Sequence, residues 1–312
     1  MQGSIPEDKI DEIKRRINIV DLVAGYVNLK QAGRNFIGLC PFHQEKTPSF
    51  MVNPELQIYK CFGCGKGGDA ISFIQEVEGV EFREAMEMLA EKAGVVLKFE
   101  RKQGGGVRDQ LLAVNEAAAE YYHFLLSKHQ VGGEARKYLS GRGLNEKVIE
   151  SFRLGYALPM WDGLVKYLVG KKGYKIDLLE QAGLVVKTGE NKAYDRFRDR
   201  VVFPLIDHRG RVVGLAGRVM PGADEKAGAK YINSPETEVY HKSEMLYGFY
   251  QAKQAIREKD RVVLVEGEMD MISSFVAGVG ETVAVKGTAL TEGQIRLIRR
   301  MTRNLILALD AD

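Results

Sequence analysis

The side chains best suited to chemistry fall into two groups far apart in the sequence. All three cysteines lie in CPFHQEKTPSFMVNPELQIYKCFGC, between Cys40 and Cys64. The spacing is Cys40-x2-His43, then 17 residues, then Cys61-x2-Cys64. Each x2 pair suits a turn that aims two ligands at one ion, and the spacer is long enough for a small sheet to bring the turns together. Three sulfurs and one nitrogen leave no open coordination position, so the expected ion is one structural zinc in a zinc ribbon. Free buried cysteines would not explain why no cysteine occurs elsewhere. Gly63 and Gly65 allow backbone amides to approach the thiolates, and Lys60 and Lys66 can offset their surplus charge. The run Gly63-x-Gly65-x-x-Gly68 fits a dinucleotide fingerprint, but Cys61 and Cys64 lie in or beside it and no βαβ pattern surrounds it. No nucleotide is expected there.

The second group is acidic. RVVLVEGEMD places Glu266 directly after an apolar run, Gly267 at the turn and Asp270 in the first turn of a helix; NLILALDAD repeats the arrangement with Asp310 and Asp312. In an open parallel sheet the C-terminal ends of the strands share one edge, so these carboxylates converge. Clustered carboxylates repel unless a cation sits among them, and hard oxygen ligands without His or Cys favour magnesium or manganese. Such an ion serves phosphoryl transfer. A lone acidic residue after a strand is more often a helix cap; two sets around one unit favour the metal.

The elements that must position these groups can be read from periodicity. Residues 7–24 carry apolar positions at helical spacing. Beyond the cysteines, GGDAISFIQEVEG and EFREAMEMLAEKAG read as helices closed by glycine. KFERKQGGGVRDQ is the strongest linker signal, and a second unit starts near Val107. That unit opens with helical pattern and turns strand-like in RVVFPLIDHRGRVVGLAGRVM, where Asp207 to Gly210 suit a hairpin turn. From Arg261 the pattern is strand, helix, strand, helix, strand, which predicts a covered parallel sheet. The expected fold class is multidomain, α+β and α/β. Its parts are a zinc ribbon with flanking helices (1–100), a linker (101–108), a mixed α/β subdomain (109–258) and the start of a parallel βαβαβ unit (259–312).

At 312 residues, 45% hydrophobic and 28% charged, the chain has material for two or three cores. No segment approaches the roughly 20 apolar residues of a membrane span, and the charged N-terminus has no signal-peptide pattern, so a cytoplasmic protein is expected. Three clustered cysteines exclude a disulfide framework. A net charge of +3 permits a nucleic-acid partner without arguing for one. Two local patterns argue more. Lys30, Arg34 and Lys46 interleave with Phe36, Phe42, Phe50, Tyr59 and Phe62, which suits phosphate pairing and base stacking on a single strand, although the aromatics could equally be the ribbon's core. RFRDRVVF, if extended, puts Arg196, Arg198 and Arg200 on one face, where guanidinium groups could grip phosphates; the alternative is a solvated strand paired with Asp195 and Asp199. Trp161 reads as packing, although an exposed indole there could stack on a base.

VEGEMD, KGT (Lys286, Gly287, Thr288) and the terminal DAD resemble the TOPRIM metal-binding pattern. Cys40, His43, Cys61 and Cys64 resemble the zinc domain of bacterial DNA primases of the DnaG type. YLSGRGL, RFRDRVVFPLIDHRGRVVGLAGR and AKYINSPET resemble the primase polymerase domain between them. The resemblance covers nearly the whole chain, in order. It implies a nucleotidyltransferase that makes short RNA primers on single-stranded DNA from ribonucleoside triphosphates. It further implies a monomer working with a replicative helicase, with Glu266, Asp270, Asp310 and Asp312 catalytic and Glu266, Asp310 and Asp312 holding magnesium or manganese. By the same resemblance Arg142, Lys230, Asn233 and Lys242 join the arginines of RFRDRVVF as nucleotide and template contacts. Position 268 is Glu where the family usually has an aromatic residue, and this charge is expected near the metals. The family also continues past the equivalent of Asp312 into the rest of TOPRIM, a further acidic pair and a helicase-binding domain. The chain therefore reads as an N-terminal portion with little or no activity of its own. The rival readings are a TOPRIM nuclease or topoisomerase, and a non-catalytic zinc-ribbon protein that binds single strands; neither predicts the whole set of motifs.

Overall fold

The computed structural model describes residues 7–43, 45–78, 80, 82–95, 106–190, 192–222, 228–287 and 290–309. The chain divides into two compact units, Met1–Gly104 and Gly105–Asp312.

The first unit begins with helices α1 (Glu7–Arg16) and α2 (Ile19–Ala24). One helix was expected here, but it is broken at Asn18. The Asn18 side chain accepts the Val20 and Asp21 amides at 2.8 and 3.4 Å, and Gln57 Oε1 accepts the Ile19 amide at 2.9 Å. A side-chain cap in mid-sequence starts a new helix because it satisfies donors that the first helix would otherwise bond. An antiparallel sheet follows, in the order β1 (Lys30–Ala32), β2 (Asn35–Gly38), β3 (Phe50–Asn53), β4 (Ile58–Cys61) and β5 (Gly67–Gly68). Helices α3 (Ala70–Glu78) and α4 (Phe82–Ala93) close the unit, α3 capped by Asp69 on the Ile71 and Ser72 amides. Phe50, Tyr59, Phe73, Ile13, Ile19 and Ile74 are fully or almost fully buried in its core.

The second unit is built on α5 (Val107–Ser127), whose inner face buries Leu111, Val114, Ala118, Tyr122 and Leu126. After it come α6 (Gly133–Gly141), α7 (Glu146–Ser151) and β6 (Gly155–Ala157). The single turn α8 (Gly163–Val165) runs on as a π-helical stretch to Lys171, before α9 (Ile176–Gln181) and the hairpin β7 (Val185–Gly189) with β8 (Lys192–Asp195). Strands β9 (Arg200–Ile206), β10 (Val212–Val219) and β11 (Tyr231–Asn233) form an antiparallel sheet with β6, in the order β11-β10-β9-β6. The turn expected at Asp207–Gly210 joins β9 to β10, with Asp207 accepting the Arg209 and Arg211 amides at 2.9 and 3.0 Å.

The last sheet combines β12 (Leu246–Tyr247), β13 (Val262–Val265), β14 (Thr282–Val285) and β15 (Leu305–Leu307), joined through α10 (Phe249–Lys259), α11 (Glu268–Val276) and α12 (Glu292–Arg299). Its order is β12-β14-β13-β15; β13 is parallel to both β14 and β15, and β12 is antiparallel to β14. The alternating pattern read from Arg261 onward is thus a βαβαβ unit. Its sheet draws its first strand from upstream of residue 259, because a two-residue strand carries no periodic signal of its own. One hydrophobic core runs from α5 through the first sheet to Tyr247, Val265, Met271 and Ala284 of the second. Strand ends in the two sheets are therefore held in fixed relation.

Candidate metal centres and anion-binding edge

In the first unit the ligand atoms of Cys40, His43, Cys61 and Cys64 all lie within 4.8 Å of one another. Cys40 Sγ is 3.8 Å from Cys64 Sγ, and Cys61 Sγ is 3.7 Å from His43 Nδ1. The other imidazole nitrogen, Nε2, lies 3.3 Å from the Glu45 carboxylate. A proton held there leaves the Nδ1 lone pair for a metal. Glu45 is itself fixed by the Cys40 and Ser49 amides at 2.8 and 3.0 Å and by the Ser49 hydroxyl. A Cβ at Gly63 would fall 2.6 Å from His43 Nε2, so only glycine lets the turn close over the ring. Burial pushes the Cys40 thiol up to about 12. Burial works against Cys61 as well, but the Ser49 hydroxyl and neighbouring amides outweigh it and bring that thiol down to about 6. Thiols this close cannot all ionise without a cation among them, and a set of three sulfurs and one nitrogen fits zinc.

Sequence reasoning missed Glu45, which is not a ligand; its signal was a carboxylate two residues after the ligating histidine. It also misplaced the lysines. Lys66 pairs with Glu76 and lies over the Phe42 ring, and Lys60 Nζ donates to the Gly65 carbonyl at 2.8 Å. The groups that reach sulfur are instead the Phe42 and Cys64 amides, 3.4 Å from Cys40 Sγ and Cys61 Sγ, and the Ser49 hydroxyl, 3.3 Å from Cys61 Sγ. Of the aromatics, Phe50 and Tyr59 stack inside the core with Phe42 packed against them, Phe36 sits at the core's margin, and Phe62 is 70% exposed. Lys30, Arg34 and Lys46 are all exposed.

In the second unit, Glu266 leaves the C-terminal end of β13 and is exposed, and Asp270 stands exposed in the first turn of α11. A Cβ at Gly267 would meet Asp270 Oδ2 at 2.6 Å, so the missing side chain gives that carboxylate its place beside the turn. The parallel register aligns Val265 with Ala284 and Leu264 with Leu307, and the Ala308 amide donates to the Leu264 carbonyl at 2.9 Å. The chain thus reaches the same edge three times. Asp310, Asp312 and Thr288 lie outside the described residues. Glu266 and Asp270 offer oxygen only, at an accessible edge where, among the described residues, no cysteine or histidine joins them in a ligand cluster, a donor chemistry that fits a hard divalent ion.

Cations surround this edge. Lys286 follows β14 and is buried in an ion pair with Glu268, the first residue of α11, and its Nζ also donates to Asn233 Oδ1 at 3.2 Å. The extra negative charge expected from Glu268 is therefore neutralised inside the protein. Lys242 is exposed, and its Cε comes within 3.6 Å of where a side chain would begin at Gly287. Arg142, at the end of α6, and Arg218, on β10, both lie over the Tyr138 ring, at 5.6 and 5.3 Å. Arg218 also lies 5.8 Å over Tyr231, whose phenol is pushed up by burial, with Asp270 adding to the shift and Arg218 and Arg142 opposing it. Arg218 is 9% exposed, yet its Nε and Nη1 have no partner among the described residues. A buried guanidinium with idle donors is costly to bury unless an anion completes it. Arg218 was missed because sequence offers no sign of burial. Lys230 is exposed just before β11.

The arginine row does not exist as an extended strand. Strand β8 ends at Asp195, β9 begins at Arg200, and between them Asp199 takes a left-handed conformation with φ 48°. The acidic residues are engaged elsewhere: Asp195 accepts the Leu164 and Val165 amides at 2.7 and 3.0 Å, and Asp199 accepts the Tyr156 hydroxyl at 3.0 Å. Arg196 Nε donates to the Gly183 carbonyl at 2.8 Å. Arg198 lies 4.4 Å over Trp161, which is 64% exposed rather than packed inside. Arg200, 2% exposed, donates through Nη1 to the Gly217 and Lys230 carbonyls, both at 3.3 Å.

Sequence profiles match the CHC2 zinc finger over residues 5–104, the N-terminal domain of the DNA primase catalytic core over 121–253, and a Toprim-like domain over 263–312. A DNA primase of Halalkalibacterium halodurans is 44% identical across all of this chain and 52% of its own length. One from Pseudomonas aeruginosa is 42% identical across all of this chain and 47% of its own. The chain thus spans about half the length of these relatives. Among solved structures, the zinc-binding and RNA polymerase domains of Aquifex aeolicus primase are 37% identical, with a TM-score of 0.60 over 97% of this chain and 72% of that one. A DnaG primase catalytic domain bound to single-stranded DNA is 39% identical, with a TM-score of 0.58 over 64% and 63% of the two chains.

Proposed function

Because the chain belongs to the DnaG-type DNA primases, we propose that it carries the template-handling and catalytic portions of an enzyme making short RNA primers on single-stranded DNA from ribonucleoside triphosphates. The observation that carries this reading is the edge where Glu266 and Asp270 meet a set of cations: Lys242, Arg142 and the partly idle Arg218. Carboxylates that hold a divalent ion and cations that hold phosphates are what nucleotidyl transfer requires side by side. The related catalytic domain bound to single-stranded DNA supports a single-stranded template.

Glu266, with Asp310 and Asp312, would hold magnesium or manganese, which would supply charge neutralisation at the transferring phosphate; Asp270 supports the site. Arg218, packed against two tyrosine rings, would offer its two idle nitrogens to a phosphate once the side chains that cover them move aside. Lys242, Lys230, Asn233 and Arg142 complete the nucleotide and template contacts. The ribbon's exposed Lys30, Arg34 and Lys46 would hold template phosphates, and Arg196 and Arg198 would extend that path. Arg200 takes no part, because its guanidinium is buried on carbonyl groups. A replicative helicase would be engaged by a C-terminal domain of the kind the resemblance implies. No described helix is long and apolar enough to cross a membrane, in keeping with a cytoplasmic replication enzyme.

The test is primer synthesis on a single-stranded template by a chain of the relatives' full length. Glu266→Gln and Asp310→Asn are each expected to abolish synthesis and leave template affinity nearly unchanged, since both remove metal ligands and no phosphate contact. Synthesis retained in either variant overturns the assignment.

A further inference from the structure

Lys286 and Glu268 form a buried ion pair, with side chains only 4% and 9% exposed, directly behind the carboxylate edge. Replacing such a pair with apolar residues of similar volume is often neutral or stabilising, so stability alone does not account for it. Its geometry does more. The Lys286 ammonium spends one proton on Glu268 and another on Asn233, at 3.2 Å. An ammonium has donors only, so it must face the amide oxygen of Asn233. The amide nitrogen of Asn233 is thereby turned away from Lys286. Asn233 is half-buried on β11, the edge strand of the first sheet.

Building on the function proposed above, we infer that the Glu268–Lys286 pair is a positioning device that locks Asn233 as a hydrogen-bond donor toward a phosphate oxygen. A free asparagine can present either its oxygen or its nitrogen. Toward a polyanion the oxygen repels and the nitrogen attracts, so an amide that cannot flip binds without first selecting an orientation. Glu268 acts through Lys286 by holding the ammonium at the junction of α11 and β14, and Lys286 acts through Asn233. The phosphate can belong to the incoming ribonucleotide or to the template strand, and binding measurements separate the two.

The experiment uses the whole chain and binding alone, so it does not depend on turnover. A fluorescent ATP analogue with magnesium forms one arm and a labelled single-stranded oligonucleotide the other. Glu268→Leu combined with Lys286→Leu removes both charges together, which avoids stranding one of them in the core. The double variant is expected to keep or raise the wild-type Tm and to bind about 10-fold more weakly in one arm, the loss expected for a hydrogen bond to a charged group. Asn233→Ala should give a similar loss in the same arm, and adding it to the double variant should cost nothing further, because both changes remove one contact. A loss confined to the ATP arm assigns the contact to the nucleotide, and one confined to the oligonucleotide arm assigns it to the template. Unchanged affinity in both arms, or losses that simply add, overturns the inference. Wild-type protein that binds neither probe would instead remove the functional reading on which it rests.

Discussion

Arg200 and Arg218 lie on paired strands, one residue out of register, with Arg218 opposite Val201 and Arg200 opposite Val219, yet they meet opposite fates, and the difference lies in what their nitrogens find. Arg200 Nη1 reaches two backbone carbonyls, whereas Arg218 Nε and Nη1 reach none among the described residues. Arg200→Met should therefore cost about 2 kcal/mol of stability, because a charged donor is taken from buried acceptors. It should leave the salt dependence of single-strand binding as it was. Arg218→Met should do the reverse: the folded protein loses an uncompensated desolvation penalty, so its Tm stays level or rises. If one phosphate contact disappears, the slope of log affinity against log salt flattens by about 0.7. Fluorescence anisotropy over a salt series, alongside thermal unfolding, checks both. A wild-type slope in a folded Arg218→Met protein would take this residue out of the phosphate contacts. The contrast also shows what one sequence conceals. The types and x2 spacing of Cys40, His43, Cys61 and Cys64 announce a metal site, because coordination demands particular atoms at particular intervals. Whether an arginine ends up holding a carbonyl or awaiting an anion depends on partners distant in sequence, and nothing in RFRDRVVF or GLAGR distinguishes the two.

At the scale of elements, periodicity was a good guide wherever an element was long and one-sided, as in α5 or the βαβαβ unit from Val262 to Leu307. It failed where a polar side chain intervened. Asn18 divides the first helix, and Asp195 ends β8 because its carboxylate is committed to the amides of Leu164 and Val165 at the start of α8. That commitment has a pH signature. Burial pushes the Asp195 carboxyl up to about 6, against the two amide bonds that favour its charge, and Asp162 nearby adds to the rise. Between about pH 4 and pH 6 the native state then keeps a proton that the unfolded chain has released. The native state binds more protons in that window, so stability falls as pH rises through it and levels off above about 6. A shift of this size corresponds to roughly 2–3 kcal/mol. Asp195→Asn removes the titration while its Oδ1 can still accept one amide. Urea unfolding of both proteins should show the wild type losing about that much relative to the variant between pH 4 and pH 7. Taking the difference cancels zinc release and every other shared titration. A difference that is the same at both pH values would mean that Asp195 ionises normally.

Among the described residues the two units have separate hydrophobic cores: one cluster lies in Met1–Gly104, and Gly105–Asp312 holds a large one shared by both its sheets and a smaller one around Phe249 and Ile298. Their dependence on metal should differ completely. The ribbon's five strands are two to four residues long, and its cysteines and histidine join turns that little else secures. A structural zinc contributes about 10–16 kcal/mol of apparent binding energy in small ribbons, more than a core of this size supplies by itself. The second unit, with its larger cores around α5 and both sheets, is expected to fold without metal. Titration with a strong chelator should therefore release one zinc per chain and abolish amide-exchange protection in α2, β3 and β4, while α5, β9 and β13 keep theirs. Glu45 sets how readily this happens, since its carboxylate fixes the His43 tautomer. Glu45→Ala should weaken zinc binding by about 10- to 100-fold, as losses of such supporting groups do, and move the unfolding to correspondingly lower chelator concentrations. Protein purified without chelator that contains no zinc, or a ribbon still protected after complete zinc removal, would show that packing and not coordination holds the first unit together.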